Sequence, residues 1–277
     1  PMEGQVAVSK TVRLAGLIRE AGSVVALTGA GISVPSGIPD FRSPGSGLWE
    51  NVDPMEVAHI DAWRADPERF WHFYGGRFQT LRDKQPNPAH LALVELERRG
   101  RLDGVITQNI DRLHARAGTR ALVEVHGTID HSSCMVCRAQ YPLEEVQERL
   151  EHSPVSVPCC DCGRPLKPDV VLFGEFLPDG ALERAYALAA GADLLLCIGS
   201  SLEVHPIAQL PGVTRQAGGE VAMEPCTSTS SVVPARRCRR SMFCVITART
   251  RPRRSSSAIA SCAGLGSFST SPAKRCE

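Results

Sequence analysis

The feature that most constrains this chain is a set of paired cysteines: Cys134 and Cys137, then Cys159 and Cys162 about twenty residues further on. Two thiolates separated by two residues lie on one tight turn. Two such turns make a tetrahedral cage for zinc, with Zn–S distances of about 2.3 Å. A single pair also suits redox chemistry, whereas two in succession point to a metal. The bland alternative is a set of unlinked thiols in loops, against which Pro158 and Gly163 supply turn chemistry around the second pair. Cys160 is a spare that could compete for the ion, but the even spacing favours Cys159 and Cys162. No further polar ligand stands beside them. The site is therefore expected to be structural and closed, one ion holding a small module together.

With 277 residues the chain can form one large domain with an inserted module, or two domains. Eleven cysteines without a charged-then-apolar N-terminal stretch predict a reducing compartment, with cytoplasmic residence as the expectation. No run of about 18 apolar residues is present to span a bilayer, so no membrane partner is expected. The net charge of +1 conceals an asymmetry. Residues 224–277 carry ten Lys and Arg against two acids, while the first 223 residues carry 21 basic and 28 acidic side chains. The body is acidic and the tail is basic.

Helical spacing over residues 11–21 is stopped by Gly22, and the apolar run Val24–Thr28 then has the character of a buried strand. It runs into Gly29, Ala30 and Gly31, a turn able to present backbone N–H groups to a pyrophosphate. Further strands are expected at 104–107, 122–125, 170–173 and 193–198, with helices at 89–99 and 180–190 between them. The fold class expected is α/β. A Rossmann-like doubly wound parallel sheet is accompanied by a smaller domain made of a helical insert and a structural zinc module. Residues 5–53, 82–131 and 168–223 would form the Rossmann-like domain, 54–81 the helical insert and 132–167 the zinc-binding insert. Residues 224–277, rich in Ser and Arg, are expected to be disordered.

Gly29-Ala30-Gly31 lacks the third glycine of a dinucleotide fingerprint and is weak alone. Its continuation adds more: after the turn at Gly37 come Asp40, able to orient a hydroxyl, Phe41, able to cover a ring, and Arg42, able to grip a phosphate. Gln108, Asn109 and Asp111 put two amides and a carboxylate at a strand end, where helix capping is the bland alternative. His126 suits either a satisfied core histidine or a general base, its ordinary pKa being about 6.5.

Together these segments resemble the sirtuins, the NAD-dependent protein lysine deacylases. The resemblance is carried, in order, by residues 29–33 (Gly-Ala-Gly-Ile-Ser), 37–42 (Gly-Ile-Pro-Asp-Phe-Arg), 107–111 (Thr-Gln-Asn-Ile-Asp), 126–127, both cysteine pairs, 173–175 (Phe-Gly-Glu) and 199–201 (Gly-Ser-Ser). It covers about residues 10–222.

The resemblance implies NAD as cofactor and one structural zinc. Gly29, Ala30, Gly31, Ile32, Asp40, Phe41, Arg42 and Trp49 would line the pyrophosphate and nicotinamide-ribose region, with Gln108, Asn109, Ile110 and Asp111 around the nicotinamide and ribose. His126 would be the general base, assisted by Asn109, Gln108 and Asp111, and Gly199, Ser200 and Ser201 would meet the adenosine side. Val171, Phe173, Gly174 and Glu175 would offer backbone to an extended acyl-lysine peptide. The implied products are free lysine, nicotinamide and O-acyl-ADP-ribose. Tyr74 and Arg77 resemble the Tyr-x-x-Arg pair with which some sirtuins bind succinyl or malonyl groups. An amphipathic helix with Arg77 solvated is the alternative reading of that stretch.

After Ala222 the chain departs from the family pattern, and the expected Asn-containing turn is absent. A shift of reading frame in a GC-rich gene is the favoured account, and a genuine basic tail that touches nucleic acid or acidic partners is the other. Loss of the last sheet strand and of an adenosine contact is expected to follow. That keeps two alternatives in view: a catalytically impaired NAD- and zinc-binding scaffold, and a mono-ADP-ribosyl transferase.

Overall fold

The computed structural model describes residues 10–41, 47 and 52–223. Arg42, Trp49 and the basic tail 224–277 lie outside the described residues. Among the described residues there are eight strands: β1 (Val24–Thr28), β2 (Gly104–Thr107), β3 (Leu122–Glu124), β4 (Gly127–Cys134), β5 (Gln140–Pro142), β6 (Leu166–Val170), β7 (Leu194–Ile198) and β8 (Glu220–Met223). The α-helices are α1 (Lys10–Glu20), α2 (Pro54–Val57), α3 (Ile60–Ala65), α4 (Pro67–Asp83), α5 (Pro88–Arg98), α6 (Leu113–Ala117), α7 (Leu143–Glu151), α8 (Ala181–Gly191) and α9 (Leu210–Gln216).

Five strands form a parallel sheet in the order β3-β2-β1-β7-β8. Every residue of β1 and β2 is buried, as expected of strands covered on both faces. Side chains alternate across the sheet. Val24 and Ala26 pack with Leu93 and Leu17, while Val25 and Leu27 pack with Ala181, Ala185 and Ala189 of α8. Alanines at intervals of four let α8 lie close to the sheet.

Chain order reverses between β1 and β7. That reversal leaves a crevice beyond the strand C-termini, the place where open α/β sheets bind ligands. The crevice depends on glycine. Gly31 N–H donates to Gly199 O at 2.8 Å, and a Cβ on Gly31 would stand 2.7 Å from Gly199 Cα.

β8 corrects one expectation. Glu220–Met223 pairs in parallel register with Leu194–Cys197, so the sheet strand expected to be lost is formed, ending one residue past the point where the chain departs from the family pattern. A second correction concerns the strand expected at 170–173. The strand is instead Leu166–Val170, and it joins an antiparallel sheet in the order β5-β4-β6. The reason is tertiary: the chain leaving the cysteine turn runs back along β4 before it can reach the parallel sheet.

The small sheet, α7 and the helical insert share one core. Trp63, Phe70, Trp71 and Phe78 pack with Ile129, Tyr141, Leu166 and Val170. The Trp71 indole N–H donates to Leu166 O at 2.9 Å. Asp66 caps α4 by accepting from Arg69 N–H at 2.9 Å, and Pro67 occupies its first turn. Among the described residues no helix is long and apolar enough to cross a membrane.

Candidate functional site

A cleft of about 930 Å³ opens where the sheet meets the smaller module. It collects the glycine turn at Gly29–Gly31, Asp40 and Phe41, the strand-end residues Gln108–Asp111, His126, and Gly199–Ser201. Tyr74 and Arg77 of α4 line the same cleft, as do Val171, Phe173, Gly174 and Glu175. Ile32 does not. Its side chain is buried in the sheet core with Val24 and Leu93, because the short 3₁₀ turn at Ala30–Ser36 points it inward.

The floor of the cleft is a hydrogen-bonded knot. Ser33 Oγ donates to Asp111 Oδ2 at 2.6 Å, and Asp111 Oδ1 accepts from Leu113 N–H at 2.9 Å. Asn109 Nδ2 donates to Gly29 O at 3.1 Å and to Ser33 Oγ at 3.2 Å. Both amide protons of Asn109 are thereby spent, and its carbonyl oxygen is the group left for a ligand. Gln108 Nε2 donates to Ser200 Oγ at 2.7 Å, tying the ends of β2 and β7 together. Ser33 was quoted in the glycine motif without a role; only the fold brings it to Asp111, 78 residues away.

His126 follows β3. Its Nδ1 lies 3.0 Å from Gln108 O. A carbonyl only accepts, so Nδ1 carries the proton and the lone pair resides on Nε2. Burial holds the imidazole pKa below its ordinary value, partly offset by the Gln108 carbonyl. The ring is therefore neutral at pH 7, with a basic nitrogen ready to take a proton.

Behind the knot lie two buried histidines whose rings are 4.8 Å apart, His90 and His114. His114 Nε2 is 2.9 Å from Thr28 Oγ1, which donates in turn to Thr107 Oγ1 at 2.8 Å. Burial, then the neighbouring His90, pushes the His114 pKa down to about 3. Burial lowers His90 as well, against the opposing charge of Asp111. Between about pH 3 and 6.5 the unfolded chain binds a proton that folded His114 refuses. Stability therefore rises with pH across that window, by up to about 1.4 kcal/mol per pH unit per group. Urea unfolding at several pH values checks this; a flat dependence in wild type, or one unchanged in His114→Asn, would contradict it.

The metal site forms with one change. The sulfurs of Cys134, Cys137, Cys160 and Cys162 lie within 4.8 Å of one another. Four Zn–S bonds of about 2.3 Å in a tetrahedron place sulfurs about 3.8 Å apart, so this donor set fits zinc. Cys160 replaces Cys159, which the even spacing had favoured. The backbone turns at Cys160, whose N–H donates to Arg164 O at 2.7 Å and whose carbonyl accepts from Gly163 N–H. Neighbouring side chains of an extended segment face opposite ways, so one of the two cysteines must turn from the cluster. Cys159 Sγ lies 3.5 Å from Val157 O instead. The Tyr141 hydroxyl stands 3.3 Å from Cys160 Sγ.

Much of the main chain of residues 171–175 is engaged within the protein. Phe173 N–H donates to Ala58 O and Phe173 O accepts from Ile60 N–H, so its main chain is already committed to the helical insert. Val171 N–H donates to His126 O, and Glu175 N–H to Leu172 O.

Fold and site together define a Rossmann-like protein with a cysteine-clustered module and a neutral histidine at the sheet's switch point. The chain belongs to the Sir2 family, whose pattern matches residues 29–206. It is 45% identical over 212 residues to an NAD-dependent protein deacetylase of Sulfolobus acidocaldarius, spanning 76% of this chain and 82% of that protein. It is 46% identical over 219 residues to an NAD-dependent protein deacylase of Thermus thermophilus, spanning 76% and 84%. The fold superposes on a solved complex described as Sir2-p53 peptide-NAD+ with a TM-score of 0.71 and 42% identity, covering 78% of this chain and 86% of that one. A structure of Sir2Tm bound to a propionylated peptide gives 0.70 and 41%, with coverages of 78% and 86%.

Proposed function

We propose that this chain removes acyl groups from protein lysines with NAD as co-substrate. The observation that carries the reading is His126, held as the neutral Nδ1–H tautomer beside the Asn109–Ser33–Asp111 knot in one cleft. Gly29–Gly31 and Gly199–Ser201 would hold the dinucleotide by close backbone approach, with Asp40 and Phe41 beside it. When bound, NAD supplies a glycosidic bond at which the acyl oxygen can attack as nicotinamide leaves. Asn109 Oδ1 would accept a hydrogen bond from the bound ligand and fix its orientation. His126 Nε2 would take a proton from a hydroxyl brought against it, and the developing imidazolium would share its Nδ1–H with Gln108 O. Zinc would hold the small module together and take no part in the chemistry. The cysteine content supports a reducing, cytoplasmic setting.

Acidic acyl groups are the finer part of the proposal. Tyr74 stacks on Phe78 with rings 5.5 Å apart, one turn from Arg77 on the cleft-facing side of α4. Arg77 folds back on its own helix, its guanidinium 3.8 Å from the Phe73 ring and bonded to Phe73 O. An acyl carboxylate offers it a charged, bidentate partner in place of a neutral carbonyl. Arg77→Leu is expected to lower kcat/KM for succinyl-lysine about 100-fold, and for acetyl-lysine by less than about threefold. Equal losses on both would rule out the clamp. The general test incubates the full chain with NAD and matched acetyl- and succinyl-lysine peptides and reads products by mass spectrometry. Free lysine peptide with O-acyl-ADP-ribose supports deacylation; ADP-ribosylated peptide with the acyl group retained supports transfer instead.

A further inference from the structure

Lys167 is a buried lysine outside the groups that would touch the reacting atoms, and each of its three ammonium protons has an acceptor. Nζ donates to Pro168 O at 2.9 Å, to Val170 O at 2.8 Å and to Glu175 Oε2 at 2.9 Å. The same Oε2 accepts from Leu172 N–H at 2.9 Å, and Glu175 N–H donates back to Leu172 O at 3.0 Å. These bonds close a ring over residues 167–175. The segment is held from outside too, by Val171 N–H on His126 O and by the Phe173 main chain on Ala58 and Ile60. Gly174 completes the turn at φ +86°, where a Cβ would meet the His59 ring at 2.9 Å.

Counting the backbone groups of residues 170–175 shows what this arrangement achieves. The N–H groups of Val171, Leu172, Phe173 and Glu175 and the carbonyls of Val170, Leu172 and Phe173 are all engaged. Among the described residues, Val171 O, Gly174 N–H, Gly174 O and Glu175 O have no such engagement, and all three residues line the cleft. We infer that Lys167 and Glu175 are positioning residues for the acyl-peptide: the ion pair of buried Lys167 with half-buried Glu175 fixes residues 170–175 so that Val171 O and Gly174 N–H are presented to an extended acyl-lysine substrate. Neither side chain touches the reacting atoms. Their effect passes through the backbone they hold, and it should fall on the peptide and not on NAD. The inference rests on the deacylase reading of the cleft.

The test compares wild type with Lys167→Met, Lys167→Arg and Glu175→Gln. Glu175→Gln keeps an acceptor oxygen and is the gentler change should Lys167→Met fold poorly. Acetyl-lysine peptide affinity is read by fluorescence anisotropy without NAD, and KM for peptide and for NAD by steady-state turnover. Lys167→Met is expected to weaken peptide binding and raise peptide KM about tenfold, while NAD KM and kcat stay within about twofold. Lys167→Arg, which keeps a buried cation with several donors, is expected to restore most of the affinity. Glu175→Gln should shift peptide KM in the same direction by about threefold. Unchanged peptide affinity in folded Lys167→Met and Glu175→Gln would overturn the inference, as would parallel losses for peptide and NAD or no rescue by arginine. A wild type that binds peptide without turnover would overturn the deacylase reading alone, because the anisotropy series still decides the role of Lys167.

Discussion

Replacing His126 by alanine is expected to lower turnover by about 10²–10⁴-fold, the usual worth of a positioned general base. Binding of NAD and of peptide should survive, because the knot of Ser33, Asn109 and Asp111 and the glycine contact of Gly31 with Gly199 do not include the imidazole. The pH profile adds a second readout. The base works in its neutral form, and burial holds its pKa below 6.5, so kcat/KM should be flat at and above neutrality. It should fall only as acid protonates Nε2, with a midpoint below 6.5. His126→Ala should lose that acid limb. Full activity in the variant, or a wild-type limb centred above 6.5, would remove His126 from the role of base. Calorimetric titration with NAD separates lost chemistry from lost binding.

Cys160→Ser is expected to cost the protein its metal, whereas Cys159→Ser should keep about one zinc per chain. The Cys160 sulfur lies in the four-sulfur cluster, 3.3 Å from Cys137 Sγ. Its removal leaves three thiolates. The consequence should spread beyond the metal, since Cys134 and Cys160 belong to the same core as Trp71, Phe78 and Leu166. That core backs α4, the helix that carries Tyr74 and Arg77 into the cleft. A fall in thermal midpoint of about 10 °C is expected, from roughly 2–4 °C per kcal/mol in a domain of this size. Zinc content by atomic absorption and melting by circular dichroism measure both effects. The opposite ranking of the two serine variants would return the ligand role to Cys159.

Much of this molecule could be read from local pattern. β1 showed itself as an apolar run ending in glycine, and α5 and α8 began and ended within a residue or two of where periodicity placed them. Such elements rest on contacts between near neighbours, which spacing reports. The same reading extended one strand to Phe173 and missed its partner. Residues 170–173 are apolar enough for a central strand, but their hydrogen bonds go to β4, His126 and Ala58, and nothing local encodes those partners.

By itself the sequence determined the kinds of chemistry available: glycine turns after strands, amides and a carboxylate at a strand end, a histidine, and enough thiols for one metal. Only the tertiary structure decided how they are used. Adjacency of β1 and β7 brings Gly31 to Gly199 and so creates the switch point. The direction of one backbone turn selects Cys160 over its neighbour, and Lys167 gains a role when Glu175 folds back onto it. The physical reason is common to all three. A side chain's type and spacing lie along the chain, whereas the partner that saturates its hydrogen bonds or shares its metal is set by which distant segments pack together.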